Sequence, residues 1–138
     1  MIADLNENEL IKINRLIGEG NYWEALEFLK NINKDKKILM TDWYLGHVYF
    51  RLHKYNKAAE HVENFISEKK EDILNLNFLG EIYSEQGKYD KAMIIFDKAL
   101  SLDKKNKGTI LNLARLNLNI GDIKKSTTYY NSLLNIEP

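Results

Sequence analysis

The 138-residue chain contains no cysteine. Disulfides, thiolate metal sites and thiol nucleophiles are therefore excluded, and a cytoplasmic home is expected. Proline occurs once, at position 138, and glycine seven times, so little interrupts the backbone. No apolar run approaches the roughly 18 residues that would cross a bilayer. The opening MIADLNENELIKINRL has no basic segment leading into an apolar core, so no secretory leader is expected either. Net charge is missing as well, because twenty Lys and Arg balance twenty Asp and Glu. The one local excess, in residues 101–138, comes from Lys104, Lys105, Lys107, Lys124 and Lys125, which flank turns. Solvated turn lysines make no sustained positive field, so nucleic acid is not an expected partner.

Hydrophobic residues make up 44% of the chain and charged residues 29%, enough of each for a folded domain with a real core. Apolar residues recur at intervals of three and four, the helical period, and nowhere alternate as in a strand. Gly20, Gly87 and Gly121 each stand two residues before a large side chain, Tyr22, Tyr89 and Ile123. His53 holds that place before Tyr55. The pattern predicts an all-helical chain broken by short turns.

Two stretches coincide. Residues 45–66 read LGHVYFRLHKYNKAAEHVENFI and residues 79–100 read LGEIYSEQGKYDKAMIIFDKAL. A shift of 34 sets Leu45 on Leu79, Gly46 on Gly80, Tyr49 on Tyr83, Tyr55 on Tyr89, Lys57 on Lys91 and Ala58 on Ala92. The period runs forward through Leu113, Ala114, Gly121, Ile123, Ser126 and Tyr130, and backward to Tyr22 and Ala25. Such a fixed period indicates stacked supersecondary units. Small residues at matched places let two helices approach closely, so Gly46, Gly80 and Ala114 are expected to face Ala25, Ala58, Ala92 and Ser126 as the small residues of the helix pairs.

This pattern resembles the tetratricopeptide repeat, a helix–turn–helix unit with a large–Leu–Gly–Tyr first helix, a Gly–Tyr–Ala second helix and a closing proline. The third unit carries it most fully, in Leu76, Leu79, Gly80, Tyr83, Gly87, Tyr89, Ala92, Phe96 and Ala99. The resemblance implies a right-handed superhelical solenoid of antiparallel helix pairs. One domain over residues 1–138 is expected, with repeats near 6–38, 39–72, 73–106 and 107–138. Departures stand at Asp42, in the buried aromatic position, and at Lys70 and Lys104, in closing-proline positions, whereas Pro138 fits. The first helix has two registers: one places Lys12 at the leucine position, and a turn one residue shorter places Leu10, Ile13 and Ile17 on the core face. The second is favoured.

The family's concave groove is lined by the first helices. Carried over position by position, it takes Met40, Trp43, His47 and Phe50, then Leu74, Asn77, Glu81 and Ser84, then Gly108, Leu111, Arg115 and Leu118. The first unit adds Ile11 and Arg15, or Leu10 and Asn14 in the other register. A Glu81–Arg115 contact is expected between neighbouring helices. Trp43 is open to two readings, a groove anchor or a buried side chain displaced by one position from Asp42. Trp23, on a second helix, fits convex or wedge packing. A carboxylate clamp of the kind some family members use is disfavoured, because Tyr44 stands where asparagine is needed and Glu81 where a cation is needed.

No phosphate loop or nucleophile motif is present, and His47, His53 and His61 fall on groove, turn and outer surface without a metal-sharing spacing. No catalytic residue, metal or cofactor is assigned, and the chain is expected not to be an enzyme. The leading expectation is a scaffold that binds another protein or peptide through Met40, Trp43, His47, Phe50, Asn77, Glu81, Leu111 and Arg115. The alternative is a homo-oligomer assembled through the last repeat, with Ile123, Tyr130 and Leu134 as its edge.

Overall fold

The computed structural model describes residues 4–35, 37–69 and 71–136. Lys70 and Pro138, two of the closing positions, lie outside the described residues. Among the described residues eight helices follow in order: α1 (Glu7–Gly18), α2 (Tyr22–Asp35), α3 (Leu39–Arg51), α4 (Tyr55–Glu68), α5 (Ile73–Glu85), α6 (Tyr89–Leu102), α7 (Lys107–Ile120) and α8 (Ile123–Leu134). The chain divides into two compact units, residues 1–70 and residues 71–138. In the first, α1 packs on α2, α2 on α3 and α3 on α4; in the second, α6 lies between α5 and α7, α7 pairs with α8, and α5 touches α7.

The turn inside each pair is built the same way four times. Asn21 N–H donates to the Leu16 carbonyl at 2.8 Å, and Lys54 to Tyr49, Lys88 to Tyr83 and Asp122 to Asn117 each at 2.9 Å. This six-to-one bond closes a helix end when the residue before it is left-handed. Gly20, Gly87 and Gly121 supply that conformation, and His53 adopts it with φ +59°. The histidine's cost there is offset locally, since its Nδ1 lies 2.6 Å from the Tyr55 hydroxyl.

Helix starts are set by side chains. Asn6 and Glu9 form a reciprocal capping box on α1, while Asp72 and Asn106 cap α5 and α7. In α1, Ile13 is fully buried and Lys12 exposed, so the helix follows the register of the shorter turn. Between α2 and α3, the Asn33 Oδ1 accepts from the Ile38 N–H and the Thr41 hydroxyl, both at 3.1 Å.

Ala58 lies against Gly46 as expected, its carbonyl 3.6 Å from where a Cβ would stand, but bulkier residues come nearer to the glycines. A Cβ on Gly46 would overlap the Val62 side chain, and one on Gly80 would overlap the Phe96 ring. The bulky residue one turn beyond the alanine fills the glycine's hollow. Ala58 and Ala92 are themselves fully buried beside it. In the last pair, where the small residues are Ala114 and Ser126, the serine hydroxyl donates to the Ala114 carbonyl at 2.8 Å. The repeated lysines also gain a reason: Lys57 Nζ lies over the Tyr49 ring and Lys91 Nζ over the Tyr83 ring, each at 5.5 Å. Such a cation–π contact contributes about 0.5–1 kcal/mol.

Candidate functional site

The face of α3 in the first unit carries Met40, Trp43, His47 and Phe50, all half-buried. Trp43 and His47 are one helical turn apart, and their ring centroids lie 4.0 Å apart with planes tilted 49°. Trp43 also meets Tyr44 edge-on at 5.1 Å, and Phe50 meets Tyr55 at 5.5 Å. Burial, with Arg51 as a second cause, pulls the His47 imidazole down to about 4. It is therefore neutral near pH 7 and belongs to an aromatic surface rather than to a basic one. Trp43 is neither a fully exposed anchor nor a core residue. Trp23 on α2 is exposed, with Lys54 Nζ 5.7 Å from its ring.

The second unit presents α5 and α7 together. The Thr109 hydroxyl donates to Asn77 Oδ1 at 3.1 Å and Asn112 Nδ2 to Glu81 Oε1 at 3.4 Å, tying the helices through polar groups. Leu74 at one end is 73% exposed and Leu118 at the other 49%. Between them Leu111 is half-buried, while Glu81 and Arg115 reach solvent. Partial desolvation raises the Glu81 carboxyl above its ordinary value; Asn112 and Arg115 oppose that shift and Glu85 adds to it. No Glu81–Arg115 ion pair closes, contrary to expectation. Asn112, nearer on the same helix, takes the carboxylate, and Arg115 acts on it only through space.

Arg15 in α1 is committed to Glu19 at 3.7 Å, and Ile11 beside it is exposed. At the other end of the chain, Ile123, Tyr130 and Leu134 all reach solvent.

His61, expected on an outer surface, does not sit idle there. Its Nδ1 lies 2.8 Å from Oδ1 of buried Asp42, and Asn64 Nδ2 donates to Oδ2 at 2.9 Å. Tyr49 stacks on the same imidazole at 5.4 Å. The signal was legible: a carboxylate in a core position demands partners, and a histidine one helix on can supply one. Among the described residues no cluster of His, Cys, Asp or Glu could hold a metal ion. No described helix is long and apolar enough to cross a membrane.

Paired helices joined by one repeated left-handed turn define a helical-repeat protein. The chain carries a tetratricopeptide repeat: the sequence model of that repeat matches residues 75–106, and the eight helices of the described residues are consistent with about four such units. By sequence it is similar to the BBSome complex member BBS4 of Bos taurus, at 26% identity over 86% of this chain and 23% of that protein. The Mus musculus counterpart is 30% identical over 62% of this chain and 17% of its own length. The chain thus spans less than a quarter of the relatives it matches. By structure it resembles MamA from Desulfovibrio magneticus RS-1, with a TM-score of 0.86 and 19% identity over 94% of this chain and 74% of that one. It also resembles YrrB, described as a tetratricopeptide-repeat protein with an unusual peptide-binding site, with a TM-score of 0.75 and 16% identity over 94% and 68%.

Proposed function

We propose that the chain is a non-catalytic scaffold whose first-helix faces hold an extended or helical segment of another protein. The observation that carries this reading is the α5–α7 face. Leu74 and Leu118 stand exposed at its ends, and Glu81 and Arg115 lie between them, unpaired with each other. Apolar anchors around polar groups of both signs are what a partner segment needs for affinity and register. The α3 face, with Met40, Trp43, His47 and Phe50, offers a second, aromatic contact surface in its own unit. The relatives' repeat architecture supports a protein-interaction role.

Affinity capture from the native extract tests the proposal, comparing wild type with Leu74→Ser and Arg115→Glu, both at exposed positions. Circular dichroism confirms that each variant folds. A protein held by wild type and lost from both variants is the expected result. Equal capture by all three would overturn the assignment of this face.

A further inference from the structure

The turn between α3 and α4 departs from its three counterparts in charge as well as in lacking glycine. Residues 51–57 hold Arg51, Lys54 and Lys57 and no carboxylate. At the matching places, residues 18–24 carry only Glu19 and Glu24 as charged groups. Residues 85–91 balance Lys88 and Lys91 with Glu85 and Asp90, and residues 119–125 set Asp122 against Lys124 and Lys125. All four turns close with the same backbone bond, so the fold itself does not require this charge.

Aromatic side chains stand among these cations. Trp23 of α2 is 63% exposed, and Lys54 Nζ lies 5.7 Å from its ring. His53 is exposed and takes the left-handed conformation that glycine supplies in the other three turns. Tyr55 holds its ring, with the hydroxyl 2.6 Å from Nδ1 and the two planes edge to face. When that hydroxyl donates to Nδ1, Nε2 carries the proton and offers an N–H at the surface. A residue strained where glycine would not be needs a use for its side chain. We propose that Arg51, His53, Lys54 and Trp23 dock an acidic segment of another protein. Its carboxylates meet the cations and the histidine N–H, and an apolar side chain lies against Trp23. This contact is separate from the first-helix faces and does not depend on them.

The chain's own carboxylates leave these cations open. Glu19 is held by Arg15 at 3.7 Å and by Asn21 at 3.1 Å. Glu24 lines a different hollow, together with Lys12 and Phe28. Neither Arg51 nor Lys54 closes an ion pair among the described residues. Nucleic acid would need a longer positive track than one turn supplies, and the chain as a whole is neutral. A short acidic segment suits a few cations around one exposed ring, and a tryptophan is the kind of anchor on which binding energy concentrates.

NMR titration of the whole chain with the synthetic peptide Glu-Asp-Glu-Phe-Glu-Asp-Glu tests the proposal. Saturable shifts are expected at the amides of residues 51–57 and at the Trp23 indole N–H, and added salt should weaken them. The same peptide with lysine at every acidic position should not bind. Lys54→Glu should weaken binding about tenfold, because it removes an attraction and adds a repulsion. His53→Gly restores the residue of the other turns, so it should keep the helical spectrum and weaken binding about threefold. Lys104→Glu, at a turn of the second unit, should leave binding unchanged. No saturable shift, shifts centred elsewhere, an equal loss in Lys104→Glu, indifference to both changes at residues 53 and 54, or tighter binding of a single-stranded oligonucleotide would overturn the proposal.

Discussion

The α3–α4 and α5–α6 pairs share a register, yet they carry opposite chemistry at the same two positions. Where α5 and α6 place Leu76 and Ile95, α3 and α4 place Asp42 and His61. Leu76 is a buried aliphatic side chain; Asp42 is also buried but is held by an imidazole and an amide. A repeat therefore fixes where a side chain goes rather than what it is, provided that a buried polar group finds its partners. The helices themselves are built and turned alike.

The largest test removes the hydrocarbon. Phe96→Ala should destabilise the second unit by about 3–5 kcal/mol, and Gly80→Leu by about 1–3 kcal/mol through overlap with the ring. Combined, the two changes should cost clearly less than their sum, because leucine occupies the space that the ring leaves. Urea unfolding followed by far-UV circular dichroism measures all three. Strict additivity would show that Gly80 and Phe96 do not share one hollow.

Next is the polar pair. His61→Leu leaves the Asp42 carboxylate with Asn64 alone and should cost about 3 kcal/mol. Asp42→Leu together with His61→Ile copies the other pair's chemistry and should fall within about 1 kcal/mol of wild type. Both tryptophans, Trp23 and Trp43, lie in the first unit, so their fluorescence reports its unfolding separately. A double variant as damaged as the single one would mean that this hollow is shaped for polar groups.

His47 and Glu81 also occupy one repeat position, and burial pushes each towards its neutral form. For His47 the folded value of about 4 lies below the ordinary 6.5. Between those values the unfolded chain binds a proton that the folded chain refuses, so stability should fall as pH drops from 6.5 and level off near 4. The full shift corresponds to roughly 3 kcal/mol, reduced by the water that reaches a half-buried ring. Tryptophan-detected unfolding from pH 7 to 4 should lose this slope in His47→Gln. A slope unchanged by the substitution would place the proton elsewhere.

The helices, their turns and the burial of Leu76, Leu79, Ala92 and Phe96 were legible because they depend on spacing and residue size, which recur at a shift of 34. Partner choice was less so. Glu81 and Arg115 have opposite charges on neighbouring helices, but Asn112 is nearer, and a periodic pattern carries no distances. His61 lies on a nominally outward position and turns inward only because Asp42 needs it.

The smallest test concerns the last pair. Ser126 replaces the alanine of Ala58 and Ala92 and spends its hydroxyl on the Ala114 carbonyl, in a place where water cannot reach. Ser126→Ala restores the residue of the other pairs. It removes one buried hydrogen bond worth about 1 kcal/mol, while the Ala114 carbonyl keeps whatever bond its own helix provides. A loss near that value in urea unfolding would make the serine a bolt between α7 and α8. If stability instead rose, the alanine of the other pairs would be the better fit here too, and the hydroxyl would add nothing that close packing does not already supply.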